Sequence, residues 1–395
     1  MRYRKFKADH IFTGNSLLNE TNVLITDKHG IVEGIIEEKN AGEGVEIHKG
    51  LISPGFINCH CHLELSHMKN VIEGGAGLVD FLIKVVSNRS SVKEEIDAAM
   101  EAAHEEMYNG GIVAAGDICN TTDSLQIKQQ SKINYHNFIE VLGLTEEKAK
   151  IILANYLTVY EDFCNAGFEK QTSVVPHAPY TISKSMFHLI NDLSEGEIVS
   201  IHNQESLAED ELYQAKTGDF LKLYHHLKIN TDFFQPYNKS SLQSYLPLLN
   251  KAKKIILVHN TFTTQSDIDF SFKQINRTNQ QLFWCLCVNA NLYIENKLPP
   301  VENFKENNCE IVLGTDSYSS NRSLNILDEI KTLQKNFPSL KTEDLLKWAS
   351  QNGAKALNLD DQLGSFEKGK KPGVVLIDTI TDKKITQHSK AKRIL

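Results

Sequence analysis

Eight short apolar runs, separated by longer polar or amphipathic stretches, limit the folds open to this chain. They are GLISPGFIN, GIVAAGDI, NYHNFIEVLG, TSVVPHAP, EIVSIHNQ, KIILVHN, LFWCLCVN and EIVLGTDS. Strands buried on both faces of a parallel sheet read as near-continuous apolar runs rather than alternating ones. The segments between them, such as SVKEEIDAAMEAAHEEMYNG and SLNILDEIKTLQK, carry the polar–apolar mix of surface helices. Eight strand–helix units over roughly 260 residues predict an α/β protein built on a (β/α)8 TIM barrel, for which about 250 residues is typical. The competing arrangement is an open doubly wound sheet, but no Gly-rich phosphate loop follows the first run. The stretch 203–254 is long for one helical connection and is expected to form part of a lid.

The two chain ends read differently. YRKFKADHIF, TNVLITDKHG and IVEGIIEEKN at one end, and GVVLIDTITDKKITQHSKAKRIL at the other, read as short strands broken by turns. Neither end has enough strands to be stable alone. Residues 1–53 and 364–395 are therefore expected to combine into one small β-sandwich, with residues 54–363 forming the barrel.

With 395 residues the chain can bury a large core. Asp plus Glu number 50 against 42 for Lys plus Arg, a formal charge of −8. That balance argues against nucleic acid or a membrane surface as partner, since both favour basic patches. The basic start MRYRKFKADHIF has no apolar h-region behind it, and no stretch approaches the roughly eighteen apolar residues of a membrane span. A cytoplasmic protein with a small-molecule substrate is the expectation. Seven cysteines, an odd number scattered over a long chain, do not make a disulfide framework.

Polar residues cluster at the ends of the apolar runs. His60 and His62 close the first, His177 follows the fourth, His202 ends the fifth, His259 the sixth and Asp316 the eighth. In an eight-stranded barrel these points meet at the C-terminal rim, where barrel enzymes carry their chemistry. Strand side chains alternate, so His60 and His62 point into the mouth and Cys59 and Cys61 point away. A structural zinc knot would need a second ligand pair at short spacing. Cys285 and Cys287 do not supply it, because they are expected to lie inside an apolar strand with the same geometry. Three imidazoles and one carboxylate suit Zn²⁺ or Fe²⁺.

Each candidate has a plainer alternative. Asp316 is also placed to cap a helix near Ser320, and His202 with Glu205 would serve as an exposed helical pair. Glu64 shares the inward face if the first strand persists, ready to bind a ring amine or sugar hydroxyl, or else to form a structural ion pair. Phe81 and Leu82 suit an apolar wall for a ring, or simply the core. Arg322 would reach an anionic substrate group or cap a surface helix. Ser317 and Asn321 are placed to order the loop after Asp316.

In order along the chain, PGFINCHCHLELS, PHAPYTIS, HNQE, VHN, NANLYI, LGTDSYSSN and GSFEKGKKPGVVLID resemble the motifs of the amidohydrolase superfamily, in its cytosine-deaminase and chlorohydrolase-like branch. Within the branch, the aminodeoxyfutalosine deaminase-like proteins look most similar. The resemblance implies one divalent metal, with Zn as the first expectation and Fe as the alternative, held by His60, His62, His202 and Asp316. It implies that Glu205 shuttles protons, that His259 bonds the reacting oxygen and that His177 contacts the substrate. Two-metal relatives use a lysine at the end of the fourth strand, which TSVVPHAPY lacks. Many relatives carry Cys-Pro-x-Ser-Asn where this chain has CVNANLYI, which leaves Asn289 and Asn291 without an assigned role.

The implied reaction is deamination of a purine-, pterin- or nucleoside-like ring. A metal-bound hydroxide, oriented by Asp316 and His259, attacks the ring carbon while Glu205 protonates the adjacent nitrogen. Two alternatives stand beside it. One is a hydrolase expelling chloride, an alkylamine or a cyclic amide nitrogen; the other is a non-catalytic metal-binding protein. A homodimer is the expected assembly, since such relatives often dimerise.

Overall fold

The computed structural model describes residues 3–232 and 234–395. Eight parallel strands run through its centre: β1 (Phe56–Cys61), β2 (Ile112–Cys119), β3 (Asn134–Val141), β4 (Thr172–Pro176), β5 (Ile198–Asn203), β6 (Lys254–His259), β7 (Gln281–Leu286) and β8 (Glu310–Leu313). β1 to β4 form one continuous parallel ladder and β5 to β8 another. Two seams join the ladders. The His202 amide donates to the His177 carbonyl at 2.9 Å, tying β5 to the end of β4. The amides of Thr315 and Asp316 donate to the His60 carbonyl at 2.9 and 3.0 Å, tying the end of β8 to β1. A parallel bridge between Cys61 and Asp316 completes the second seam. The strands thus close into the (β/α)8 barrel read from the sequence.

Nearly every residue of these strands is buried, which explains why they read as unbroken apolar runs. Helices cover the outside, and Gly353 on helix Gln351–Ala356 lies so close to Ile57 and Cys59 that a β-carbon there would collide with them. Cys59 therefore faces the outer layer, as alternation requires.

The chain ends build two further sheets. Val32–Glu37, Asn22–Asp27, Tyr3–Lys7 and Glu46–Ile47 form one, in that order. The other runs Ala391–Arg393, Val375–Ile377, Leu51–Ser53, His10–Phe12, Leu17–Leu18, so strands from both termini pair in a single sheet. Phe6, Ile11, Leu24, Ile52, Phe366 and Val374 share the core of this part.

Two strand readings need correction. GLISPGFIN is two strands, because Pro54 has no amide to donate and Gly55 turns the chain from the terminal sheet into the barrel. A β-carbon on Gly55 would meet the Val113 side chain and the Pro372 carbonyl. LFWCLCVN leaves the strand at Leu286, and Cys287 precedes helix Val288–Glu295.

Above the mouth of the barrel, helices Leu78–Asn88, Leu207–Ala215 and Phe220–His226 contribute to a second apolar cluster that includes Phe81, Tyr180, Tyr213 and Leu223. The rings of Tyr180 and Phe220 stack with centroids 4.1 Å apart. The hydroxyls of Tyr213 and Tyr224 donate to the carbonyls of Pro179 and Tyr180 at 2.8 and 2.6 Å, which hooks this layer to the loop after β4. Of these helices, Leu207–Ala215 and Phe220–His226 belong to segment 203–254. Among the described residues no helix is long and apolar enough to cross a membrane.

Lys128 reaches into the wall beside β2, where its ammonium lies 2.6 Å from the Asp117 carboxylate with both side chains fully buried. Asp117 also accepts the Leu63 amide at 2.9 Å and so anchors the turn after β1. Removing one partner leaves an uncompensated charge in the core, a change that costs about 3–5 kcal/mol. Asp117→Ala is expected to lose stability on that scale in urea unfolding, and Asp117→Ala with Lys128→Met to recover part of it.

Candidate active site

β1 delivers His60 and His62 to the mouth, β5 delivers His202 and β6 delivers His259, while Asp316 follows β8. Ligand atoms of His60, His202, His259 and Asp316 all lie within 4.8 Å of one another. His62 stands at the edge of this set, its Nε2 3.0 Å from His60 Nε2 and 3.2 Å from Asp316 Oδ1. His259, expected only to bond the reacting oxygen, is thus as central as the expected ligands. Gln204, His259 and Asp316 have φ of 46°, 74° and 58°. Left-handed backbone at such residues costs on the order of 1–3 kcal/mol each and persists where its surroundings hold it.

Hydrogen bonds set the direction of the His177, His202 and His259 rings. His202 Nδ1 lies 2.8 Å from the His177 carbonyl, which can only accept, so Nδ1 carries the proton and Nε2 keeps its lone pair. Asn291 donates its amide to the His259 carbonyl at 3.1 Å, which turns Oδ1 toward His259 Nδ1 at 2.9 Å. His259 therefore donates from Nδ1 and offers Nε2 to the site. Thr181 spends its hydroxyl proton on the Ala178 carbonyl and accepts from His177 Nδ1 at 2.9 Å, so His177 also presents Nε2 as an acceptor.

Burial pushes His62 down to about 3, helped by the neighbouring His60. Burial likewise carries His202 well below the ordinary imidazole range and lowers His259. For Asp316 burial alone acts upward, but the hydrogen bond with His60 and the surrounding imidazoles hold it well below the usual carboxylate range. The Ser320 hydroxyl donates to Asp316 Oδ2, leaving Oδ1 for the imidazoles. Glu205 is the opposite case: burial, with Asp316 and Glu295 nearby, raises it well above an ordinary carboxyl. Its Oε1 lies 3.6 Å from His259 Nε2. A carboxyl raised by burial thus stands beside imidazoles that burial lowers and a carboxylate that its neighbours hold low.

A cavity of about 170 Å³ opens above these groups. His62, His177, His202, Glu205, His259 and Asp316 line it, and Phe81, Leu82, Leu142, Tyr180 and Leu223 give it apolar walls. Ser317 lines it as well, with its Oγ 2.5 Å from Ser319 Oγ. A second convergence, Glu140, His177 and His202, shares the site. Glu140, buried and pushed up to about 7, was visible in the sequence only as an acid at the end of the third run.

Other expected residues sit elsewhere. Glu64 belongs to a short helical turn, Leu63–Met68, because β1 stops at Cys61. Its carboxylate accepts the amides of Asn120 and Thr121 at 3.0 and 3.1 Å and does not line the cavity. Arg322 is exposed and lies outside the cavity. Asp316 caps no helix, since the next begins at Ile326 with Asn325 before it. His202 and Glu205 are buried, not an exposed helical pair. Asn321 orders the loop, donating to the Thr315 carbonyl at 2.8 Å and to Glu329 at 2.9 Å. Asn289 also bonds Glu329, from its backbone and side chain at 3.0 and 2.9 Å, and so serves packing.

A family model described as the Amidohydrolase family matches residues 51–394. The chain belongs to the amidohydrolase family. This amidohydrolase is 28% identical over 328 residues to an adenosine deaminase of Helicobacter pylori, covering 81% of this chain and 77% of the relative. It is 26% identical over 355 residues to an aminodeoxyfutalosine deaminase of Nitratiruptor sp., covering 88% and 84%. Its fold matches that of Helicobacter pylori aminofutalosine deaminase in complex with methylthio-coformycin, with TM-score 0.81, 23% identity and 99% and 100% coverage. It also matches an adenosine deaminase from Xanthomonas campestris with bound zinc, with TM-score 0.71, 19% identity and 97% and 87% coverage.

His202 and His259, held as lone-pair donors, converge with His60 and Asp316 in a donor set that fits a divalent cation. Orienting partners behind metal-site histidines are worth about 10–100-fold in affinity or activity. Asn291→Leu strands the His259 Nδ1–H and is expected to lower kcat within that range, measured against wild-type protein of equal metal content.

Proposed function

We propose that this amidohydrolase removes the amino group of a purine-type ring, or of a nucleoside carrying one, by adding water and releasing ammonia. The observation that carries the reading is Glu205: a buried carboxyl, raised by burial well above the ordinary carboxyl range, that lines the cavity 3.6 Å from His259 Nε2. A site that only stores metal has no use for such an acid. Relatives named for deamination of adenosine, aminodeoxyfutalosine and 5'-deoxyadenosine support the same reaction class.

His60, His62, His202 and Asp316 would hold the cation, with Zn²⁺ favoured and Fe²⁺ the alternative by donor type. Bound there, a divalent cation would supply Lewis acidity, the kind that brings the pKa of water from 15.7 to about 7. Asp316 and the free Nε2 of His259 receive the proton that the attacking water gives up. Glu205 delivers its own proton to the ring nitrogen beside the attacked carbon, which makes that carbon electrophilic. A new C–O bond forms; the exocyclic amine takes up the proton held by Asp316 or His259, its C–N bond breaks and it leaves as ammonia, while the new hydroxyl returns its proton to Glu205 and becomes the ring carbonyl. His177 offers its Nε2 acceptor to a ring N–H, and Phe81 with Leu82 flanks the ring.

Glu205→Gln keeps the shape but cannot give up a proton. General acid–base help is worth about 10²–10⁴-fold, and kcat is expected to fall on that scale with metal content unchanged. His60→Ala is expected instead to lose metal, read by elemental analysis of the purified protein. Metal-loaded wild type should release ammonia from adenosine, 5'-deoxyadenosine, guanine or a pterin. Release of chloride or an alkylamine from substituted rings, with no ammonia from any of these, would overturn the reading.

A further inference from the structure

The end of the barrel away from the mouth holds a larger cavity, of about 520 Å³. Lys254, Gln281 and Glu310, the first residues of β6, β7 and β8, line it. Phe272 and Ile275, from helix Gln265–Thr278, line it as well, together with Phe283 of β7. None of these residues borders the cavity above the imidazoles.

Among the described residues only two lysines are buried, Lys128 and Lys254. Lys128 meets the Asp117 carboxylate at 2.6 Å. Lys254 is 6% exposed, yet among the described residues no carboxylate lies within ion-pair distance of it. Its ammonium donates to the Lys355 carbonyl on helix Gln351–Ala356 and lies 5.9 Å from the centre of the Phe283 ring. A cation is favourable at a helix C-terminus. One carbonyl, however, occupies one of the three N–H donors of an ammonium and cancels none of its charge. Burial lowers the Lys254 pKa, Lys253 and Lys355 act the same way, and Asp360 opposes them. Lysines are almost never buried unless paired, so the missing counter-ion points to a partner from outside the chain.

The ionisable groups of the cavity set the charge of that partner. Lys253, Lys254 and Lys355 line it against Glu310 and Asp360, which leaves a single positive charge uncompensated. Its volume suits a small molecule, and sites of this kind combine apolar walls with a few convergent polar groups. We propose that this cavity binds a small organic carboxylate, with the carboxylate on Lys254 and an apolar body against Phe272, Ile275 and Phe283. A phosphate monoester carries about −1.5 to −2 at neutral pH and would exceed the one charge available. Nothing in this site depends on the deamination chemistry.

Calorimetric titration of the full-length protein with α-naphthoate, α-naphthamide and α-naphthyl phosphate tests the site. Naphthoate is expected to bind at one saturable site, roughly 10–100-fold tighter than the amide, the worth of a charge-assisted hydrogen bond. Lys254→Met is expected to bring acid and amide to equal affinity. Ile275→Glu changes a half-buried position on the covering helix and keeps Lys254. It sets a carboxylate in the cavity and is expected to weaken naphthoate about 10-fold or more, which decides the case if Lys254→Met does not fold. Four results would overturn the proposal: no saturable binding of naphthoate, equal affinity of wild type for acid and amide, a preference for the acid that survives either substitution, or naphthyl phosphate bound more tightly than naphthoate.

Discussion

The carbonyls of His60 and His177 close the barrel. His60 receives two amides from the end of β8, and His177 receives the amide of His202 from β5. Both carbonyls belong to residues whose imidazoles face the site, so ring closure and site assembly are one event. A parallel barrel has no free edges only once both seams form. Until then His60 and Asp316, 256 positions apart in sequence, have nothing to hold them together. The seam that pairs them also fixes the carboxylate within 3.7 Å of His60 Nε2. The His177 carbonyl has a second use, because it accepts His202 Nδ1 and so selects the tautomer of that ring.

Closure creates an electrostatic problem that the surrounding polar groups solve. Several imidazoles packed in a dry floor cannot all be charged, and burial drives His62, His202 and His259 neutral. Their lone pairs then converge near Asp316, which remains ionised. The same dryness keeps Glu205 protonated a few ångströms away. One environment thus pushes two carboxyls in opposite directions, because Asp316 faces the imidazoles of His60, His62 and His259 and accepts from Ser320 while Glu205 faces Asp316 and Glu295. Pairs of titratable groups driven apart in this way mark acid and base roles.

Alternation along a strand and the C-terminal convergence of a barrel are regular geometry, so His60, His62, His202, His259 and Asp316 were legible from spacing alone. Residues whose role depends on a distant backbone group were not. Glu64 was assigned to the inward face by extending β1, but its partners are amides more than fifty residues away, at the end of β2. Asn291 lacked a role because the bond it makes runs to a residue on another strand, and its signal in sequence was only an asparagine in an apolar helix. The two-strand nature of GLISPGFIN was signalled by Pro54 and Gly55, and the continuous hydrophobicity on both sides masked it.

The turns after β5 and β6 explain how strained backbone is kept. Gln204, His259 and Asn260 are all left-handed, and these turns are latched to each other rather than to apolar core. Asn203 donates to Asn260 at 2.9 Å and accepts the Tyr245 hydroxyl at 2.7 Å. Gln204 accepts from Thr263 at 2.9 Å and donates to Asp267 at 3.0 Å. Behind them Glu209, pushed up to about 8 by burial, accepts the Gln204 amide at 3.0 Å and the Ser241 hydroxyl. Buried polar networks of this kind hold one geometry when every member is satisfied and lose it when one is removed. The chain therefore positions Glu205 and His259 through directional bonds to helix Ser241–Tyr245 and to the segment after β6. Because Ser241 and Tyr245 come from the helix Ser241–Tyr245 that precedes β6, and Thr263 and Asp267 from the segment after β6, one hydrogen-bonded network spans both connections and holds both proton-handling residues.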